Sequence, residues 1–164
     1  MTETAQLPTF AEVVSKAPRE NFGVAPLLLP RRTRRHLLAV YAFARLVDDV
    51  GEDFRRGRVY LPAEDLRDFG VDEDELGRAE PTPALRRLIE FEVARARSLL
   101  GDGRPLVRSL RGRARLLVAG YVAGGTAALD AVERSGYSVL ASSPRALPGA
   151  RRRAVLWLLR ETLW

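Results

Sequence analysis

Between Pro30 and Pro62 the chain combines a helical apolar pattern with a dense group of acids, and that pairing sets the terms for the rest. Leu37, Leu38, Val40, Tyr41, Ala44, Leu46 and Val47 recur at spacings of three and four, which predicts a helix with a broad buried face. Along it Tyr41, Arg45, Asp48 and Glu52 step by four, three and four residues and share one ridge, while Asp49 and Asp53 form a second i,i+4 pair beside it. Like charges at that spacing repel by about 0.2–0.5 kcal/mol per pair, so the two ladders cost stability unless a cation joins them. Magnesium suits such a site, because this hard cation takes one or two carboxylates and completes its shell with water and substrate phosphate oxygens. Arg45, one turn before Asp48, is placed to hold the same phosphate. The alternative is a solvated helix end whose acids are answered by Arg55, Arg56 and Arg58.

The rest of the chain also reads as helical, since no stretch alternates over strand length. Thr9 is placed to cap a short helix from Phe10, with Glu12 completing a capping box, and Pro18 closes it. Asn21, Phe22 and Gly23 form a turn. After Asp53, Gly57 marks another turn, Val59–Pro62 an extended exit, and Pro62–Leu66 a short helix ending at Phe69–Gly70–Val71. Asp72–Glu75 is an acidic run suited to a helix start. Leu85, Leu88, Ile89, Glu92, Val93, Ala96 and Leu99 define a long amphipathic helix that ends at Gly101, with a turn at Gly103 and Pro105. The next helix spans about 113–134, where Gly120, Ala123, Gly124 and Ala127 allow either a close helical neighbour or an apolar ligand wall, with Tyr121 beside them. Ala150–Trp164 is a basic amphipathic helix whose Trp157 and Trp164 suit either docking or a membrane interface. His36, the one histidine, has no second soft ligand near it and receives no role.

Two segments resemble a known family. ENFGVAPLLLPRRTRRHLLAVYAFARLVDD, Glu20 to Asp49, is similar to the N-terminal signature of the squalene/phytoene synthase family, its Glu20-Asn21-Phe22 opening being closest to the hydroxysqualene synthase branch of the hopanoid pathway. DVGEDFRRGRVYLPAEDLRDFGV, Asp49 to Val71, resembles the segment around that family's second aspartate-rich motif. The resemblance implies an all-α isoprenoid-synthase-type bundle in which two acidic motifs on facing helices clamp Mg2+ around a prenyl diphosphate, presqualene or farnesyl diphosphate. Carried over by position, it makes Asp48, Asp49, Glu52 and Asp53 metal ligands. It makes Tyr41 and Arg45 catalytic residues facing the substrate, and Arg45, Arg58 and Tyr60 diphosphate-binding residues.

Both acidic motifs fall on the single hexapeptide Asp48–Asp53, whereas the family separates them by several helices. The expected organisation is therefore one incomplete domain over 1–164, residues 1–53 carrying the first motif and residues 49–164 the second motif and C-terminal helices, with the centre deleted. By resemblance the chain is a prenyl transferase or diphosphate lyase whose activity the loss of the middle impairs. The alternative is a non-catalytic relic or interaction module. An incomplete bundle also leaves apolar faces open to self-association.

Composition closes other routes. The 164 residues contain no cysteine, which excludes disulfide stapling and thiolate metal sites and fits a cytoplasmic location. The net charge of +6 is carried by arginine almost alone, Lys16 being the only lysine. No nucleic-acid-binding motif accompanies Arg31–Arg35, so nucleic acid is not an expected partner. No secretory signal or membrane-spanning run is evident, while the basic surface allows peripheral membrane contact.

Overall fold

The computed structural model describes residues 50–101 and 104–140, together with Thr9, Glu12, Gly149 and positions 152, 153, 155, 156 and 160. The helix expected before Asp49, the turn at Asn21–Gly23, His36, Gly103, the Tyr121 side chain, Trp157 and Trp164 lie outside the described residues. Described in order are α1 (Val50–Arg55), α2 (Ala63–Asp68), a 3-10 helix (Glu73–Gly77), α3 (Pro83–Gly101), α4 (Arg104–Ser109) and α5 (Gly112–Arg134). Among the described residues there is no strand and no helix long and apolar enough to cross a membrane.

α3 and α5 form the central pair. One face of α3 buries Leu85, Leu88, Ile89, Val93, Ala96 and Leu100, with Leu100 rather than the expected Leu99 fully inside. Val118, Val122, Leu129 and Val132 answer from α5. The small residues of α5 serve close packing: a Cβ added at Gly125 would meet Leu100 Cδ2 at 3.1 Å, and Ala123 and Ala127 are buried. Gly125 lies beside the expected stripe rather than in it, and a Cβ at Gly120 would meet nothing within 4 Å, so close packing accounts for only part of the stripe. Pro105 lies within α4 instead of making the expected turn. Buried Val107 fixes that short helix in the core.

The connections follow from local chemistry. Thr9 and Glu12 make the expected capping box, with Thr9 N donating to Glu12 Oε2 at 2.8 Å and Glu12 N to Thr9 Oγ1 at 3.4 Å. α1 closes as a Schellman motif: Arg58 N donates to Asp53 O at 2.9 Å and Gly57 N to Phe54 O at 2.9 Å, with Gly57 at φ 69°. That turn sends Arg58 back alongside α1. The acidic run at Asp72 starts the 3-10 helix, where Asp72 N donates to Glu75 Oε1 at 3.2 Å. Glu75 also accepts from the Thr82 hydroxyl at 2.6 Å, while Leu85 N donates to that same oxygen at 3.2 Å, so one side-chain relay joins the 3-10 helix to the start of α3.

After α5 the chain turns and returns to α1. Gly51 N donates to Val139 O at 3.3 Å, and Arg55 Nη1 to Leu140 O at 3.2 Å. A Cβ at Gly51 would lie 2.1 Å from the Leu140 carbonyl oxygen, so only glycine permits this approach. On the other side of α1, Phe54 packs so tightly on the 3-10 helix that a Cβ at Gly77 would meet its ring at 2.7 Å. The C-terminal end of the acidic hexapeptide thus stands on a helix gripped from two sides.

Candidate functional site

The expected site residues divide at Val50. Tyr41, Arg45, Asp48 and Asp49 lie outside the described residues, while Glu52, Asp53, Arg58 and Tyr60 belong to α1 and its exit. Asp53, Arg58 and Tyr60 form one local group, and Glu52 belongs to a separate pair. Glu52 is paired with Arg56 one turn on, at 2.6 Å, with both side chains well exposed. Asp53, only 15% exposed, receives Arg58 Nη2 at 2.7 Å. The Arg58 guanidinium also lies 5.8 Å from the Tyr60 ring centroid, at the outer reach of a cation–π contact.

Glu52 and Asp53 are consecutive and therefore project about 100° apart, so they do not bind the same ion from adjacent positions on one ridge. Each has its own arginine, as the solvated-end reading expects for Arg56 and Arg58. Yet hard carboxylate oxygens beside a guanidinium that suits phosphate oxygens are the donor set a magnesium–diphosphate ligand needs. The described half fits such a ligand in its chemistry. Among the described residues no three acidic or imidazole side chains converge as a metal cage, and the ridge partners that would extend the set, Asp48 and Asp49, precede α1.

A second charged cluster was legible only as an oddity, an acid in a core register. Glu92 occupies the buried face of α3 and is 0% exposed, and Asp65 on α2 is 4% exposed. Arg95 joins them. Its Nη1 donates to Asp65 Oδ2 at 2.7 Å and its Nη2 to Oδ1 at 2.9 Å, the two-pronged geometry that makes arginine–carboxylate pairs strong. The same Nη1 reaches Glu92 Oε1 at 3.4 Å, while Glu92 Oε2 makes no hydrogen bond from a donor. The other face of the guanidinium lies 4.5 Å from the Phe91 ring centroid, and Phe91 stands 5.3 Å from Phe69.

The two acids respond oppositely to the same surroundings. Burial raises the Glu92 carboxyl, and Asp65 beside it adds to the rise, so that Glu92 is pushed up to about 8 despite the pull of Arg95. Burial also opposes the charge on Asp65, but the Arg95 hydrogen bonds outweigh it and hold Asp65 below the ordinary aspartate value. Asp65 is the ion and Glu92 the neutral acid.

Four relationships bear on this chain. A model described as squalene/phytoene synthase matches residues 15–52 and 46–158, two segments that share residues 46–52. The 15-cis-phytoene synthase of Synechocystis sp. is 37% identical over 94 residues, covering 57% of this chain and 28% of that protein. The hydroxysqualene synthase of Rhodopseudomonas palustris is 39% identical over 66 residues, covering 40% of this chain and 23% of that protein. The crystal structure of a squalene synthase from Alicyclobacillus acidocaldarius superposes with a TM-score of 0.70 at 29% identity, over 80% of this chain and 53% of that one. The chain thus spans about a quarter of the curated relatives it matches and about half of the solved structure.

Proposed function

The chain belongs to the squalene/phytoene synthase family, and from that premise we propose that it binds a prenyl diphosphate with magnesium through the hexapeptide Asp48–Asp53 and catalyses diphosphate loss weakly. The observation that carries this reading is the overlap of the two family segments on residues 46–52. One acidic hexapeptide serves both segments, which is what an internal deletion between two similar acidic stretches produces.

In this reading Asp48, Asp49, Glu52 and Asp53 supply the carboxylates for Mg2+, and Arg45, Arg58 and Tyr60 hold the diphosphate. Bound magnesium supplies the charge that draws diphosphate away from its allylic or cyclopropyl carbon. Arg58 needs no large rearrangement to take part: swinging from Asp53 to a phosphate oxygen exchanges one charge-assisted hydrogen bond for another. Tyr41 faces the developing cation, whose charge an aromatic ring stabilises. A single acidic helix gives one side of a two-sided clamp, and since positioning is what such a site contributes, turnover is expected to fall by orders of magnitude. Presqualene diphosphate is the favoured substrate, because the Glu20-Asn21-Phe22 opening resembles the hydroxysqualene branch.

The test is release of inorganic diphosphate from presqualene and farnesyl diphosphate by the purified chain, with Mg2+ and with chelator. Slow release that requires the metal and is abolished in both Asp48→Ala and Asp53→Ala is the expected result. No release from a folded sample, judged by far-UV circular dichroism, would reduce the kinship to ancestry and favour the non-catalytic reading.

A further inference from the structure

The Asp65–Glu92–Arg95 cluster lies apart from the acidic hexapeptide and has no part in the proposed chemistry. It nevertheless places two carboxyl groups in the core against one guanidinium. Were both ionised, the cluster would bury a net negative charge, which costs several kcal/mol in a medium that water does not reach. The geometry separates the two acids: both Asp65 oxygens accept from Arg95 at 2.7 and 2.9 Å, whereas Arg95 Nη1 stands 3.4 Å from each Glu92 oxygen and Oε2 completes no hydrogen bond. A proton on Glu92 resolves that orphan, because a carboxylic acid needs an acceptor for its own hydrogen, and Asp65 is within hydrogen-bond reach.

We propose that Asp65, Glu92 and Arg95 form a proton-dependent latch: the two acids hold one proton between them, and its loss loosens α2 from α3. Asp65 lies in α2, four residues after buried Leu61 and three after buried Pro62, so the latch also anchors the exit that carries Arg58 and Tyr60. The charged groups acting on Glu92 are Asp65 and Glu64 from α2 and Arg95 from its own helix. From α5, Asp130 and Glu133 are engaged by Arg97 at 2.8 and 2.5 Å. When Glu92 ionises, three carboxylates on two facing helices share Arg95, and repulsion across the α2–α3 contact replaces a hydrogen bond.

The direction with pH follows from linkage. Below the ordinary glutamate value of 4.5, native and unfolded chains both carry the proton; between 4.5 and about 8 only the native chain does. Stability is therefore fully present at the acid end and falls as pH rises through this window, the unfolding equilibrium constant growing by about tenfold per pH unit.

The experiment is urea denaturation of the full chain between pH 5.5 and 7.5, for wild type, Glu92→Gln and Asp65→Asn. Glutamine copies the protonated acid, so Glu92→Gln should flatten the wild-type slope by about one proton. Asp65→Asn frees Arg95 to pair with Glu92 and removes the neighbouring carboxylate, so the Glu92 carboxyl falls while burial still holds it up, and the slope should be reduced. A second readout is amide exchange at Leu66 and Phe69, corrected for base catalysis and referred to Leu129 in α5. Wild type should lose protection at α2 between pH 6 and 9, and Glu92→Gln should not. A wild-type slope unchanged by either variant, or α2 protection that is independent of pH, overturns the latch. The outcome does not depend on whether the chain binds a prenyl diphosphate.

Discussion

Glu52 on α1 and the acids of the α2–α3 contact meet the same partner, arginine, in opposite surroundings, with Asp53, 15% exposed, between them. Glu52 and Arg56 are 44% and 60% exposed, whereas Asp65 is 6% and Glu92 0% exposed against an Arg95 at 26%. In water each ion pair is replaceable by hydration, so it contributes little and is free to change partners. In the core each charge depends on its one partner, so removing that partner is expensive. A ligand site needs the first kind of pairing and a structural anchor the second. The chain keeps them on neighbouring segments, with Gly57 turning the backbone between α1 and the exit that leads to α2.

Breaking the buried cluster should have the largest effect. Arg95→Ala leaves Asp65 charged and enclosed, and should lower stability at pH 7 by about 3 kcal/mol in chemical denaturation; the loss should shrink toward acid pH, as Asp65 takes up a proton. Gly51→Ala comes next. Its new methyl would collide with the Leu140 carbonyl, a backbone atom that cannot rotate away, so a cost of about 2 kcal/mol is expected by the same measurement. Because that contact holds α1 to the turn after α5, the variant should also weaken prenyl diphosphate binding. Glu52→Ala is the smallest. An exposed i,i+4 pair contributes less than about 0.5 kcal/mol after solvent screening, so stability should barely change. A Glu52→Ala cost equal to that of Arg95→Ala would erase the distinction between the two regions.

Much of the described fold was legible because its signals are local. The Thr9–Glu12 capping box, the helix stop at Gly57 and the proline-led α2 each rest on chemistry within a few residues. The departures come from tertiary contacts. Pro105 reads as a turn residue from its neighbours alone, but burial of Val107 makes a helical turn worth forming there. The small residues of α5 read as a ligand wall or a close neighbour, and the one close approach, Leu100 of α3 against Gly125, falls just outside the predicted stripe.

The site was legible in part for the same reason. Spacing singled out the acids and the family resemblance added Arg58 and Tyr60; the described structure joins Asp53, Arg58 and Tyr60 and pairs Glu52 with Arg56. That Asp53 would take Arg58 and Glu52 would take Arg56 depends on the Schellman turn, which periodicity does not reveal. Glu92 is the clearest case of a signal present but unread: it stood in the apolar register of α3, and an acid in that register has to be neutral or paired. Its partner Asp65 lies 27 positions earlier, beyond any spacing rule.

The most direct measurement is calorimetric titration of farnesyl diphosphate into the full chain, with Mg2+ and with chelator, for wild type, Asp53→Asn and Glu92→Gln at pH 6.5. Binding that requires magnesium, falls at least about tenfold in Asp53→Asn and is unchanged in Glu92→Gln is the expected outcome, for a lost metal ligand and an intact anchor. Binding that survives both chelation and Asp53→Asn would contradict a magnesium–diphosphate site on the acidic hexapeptide.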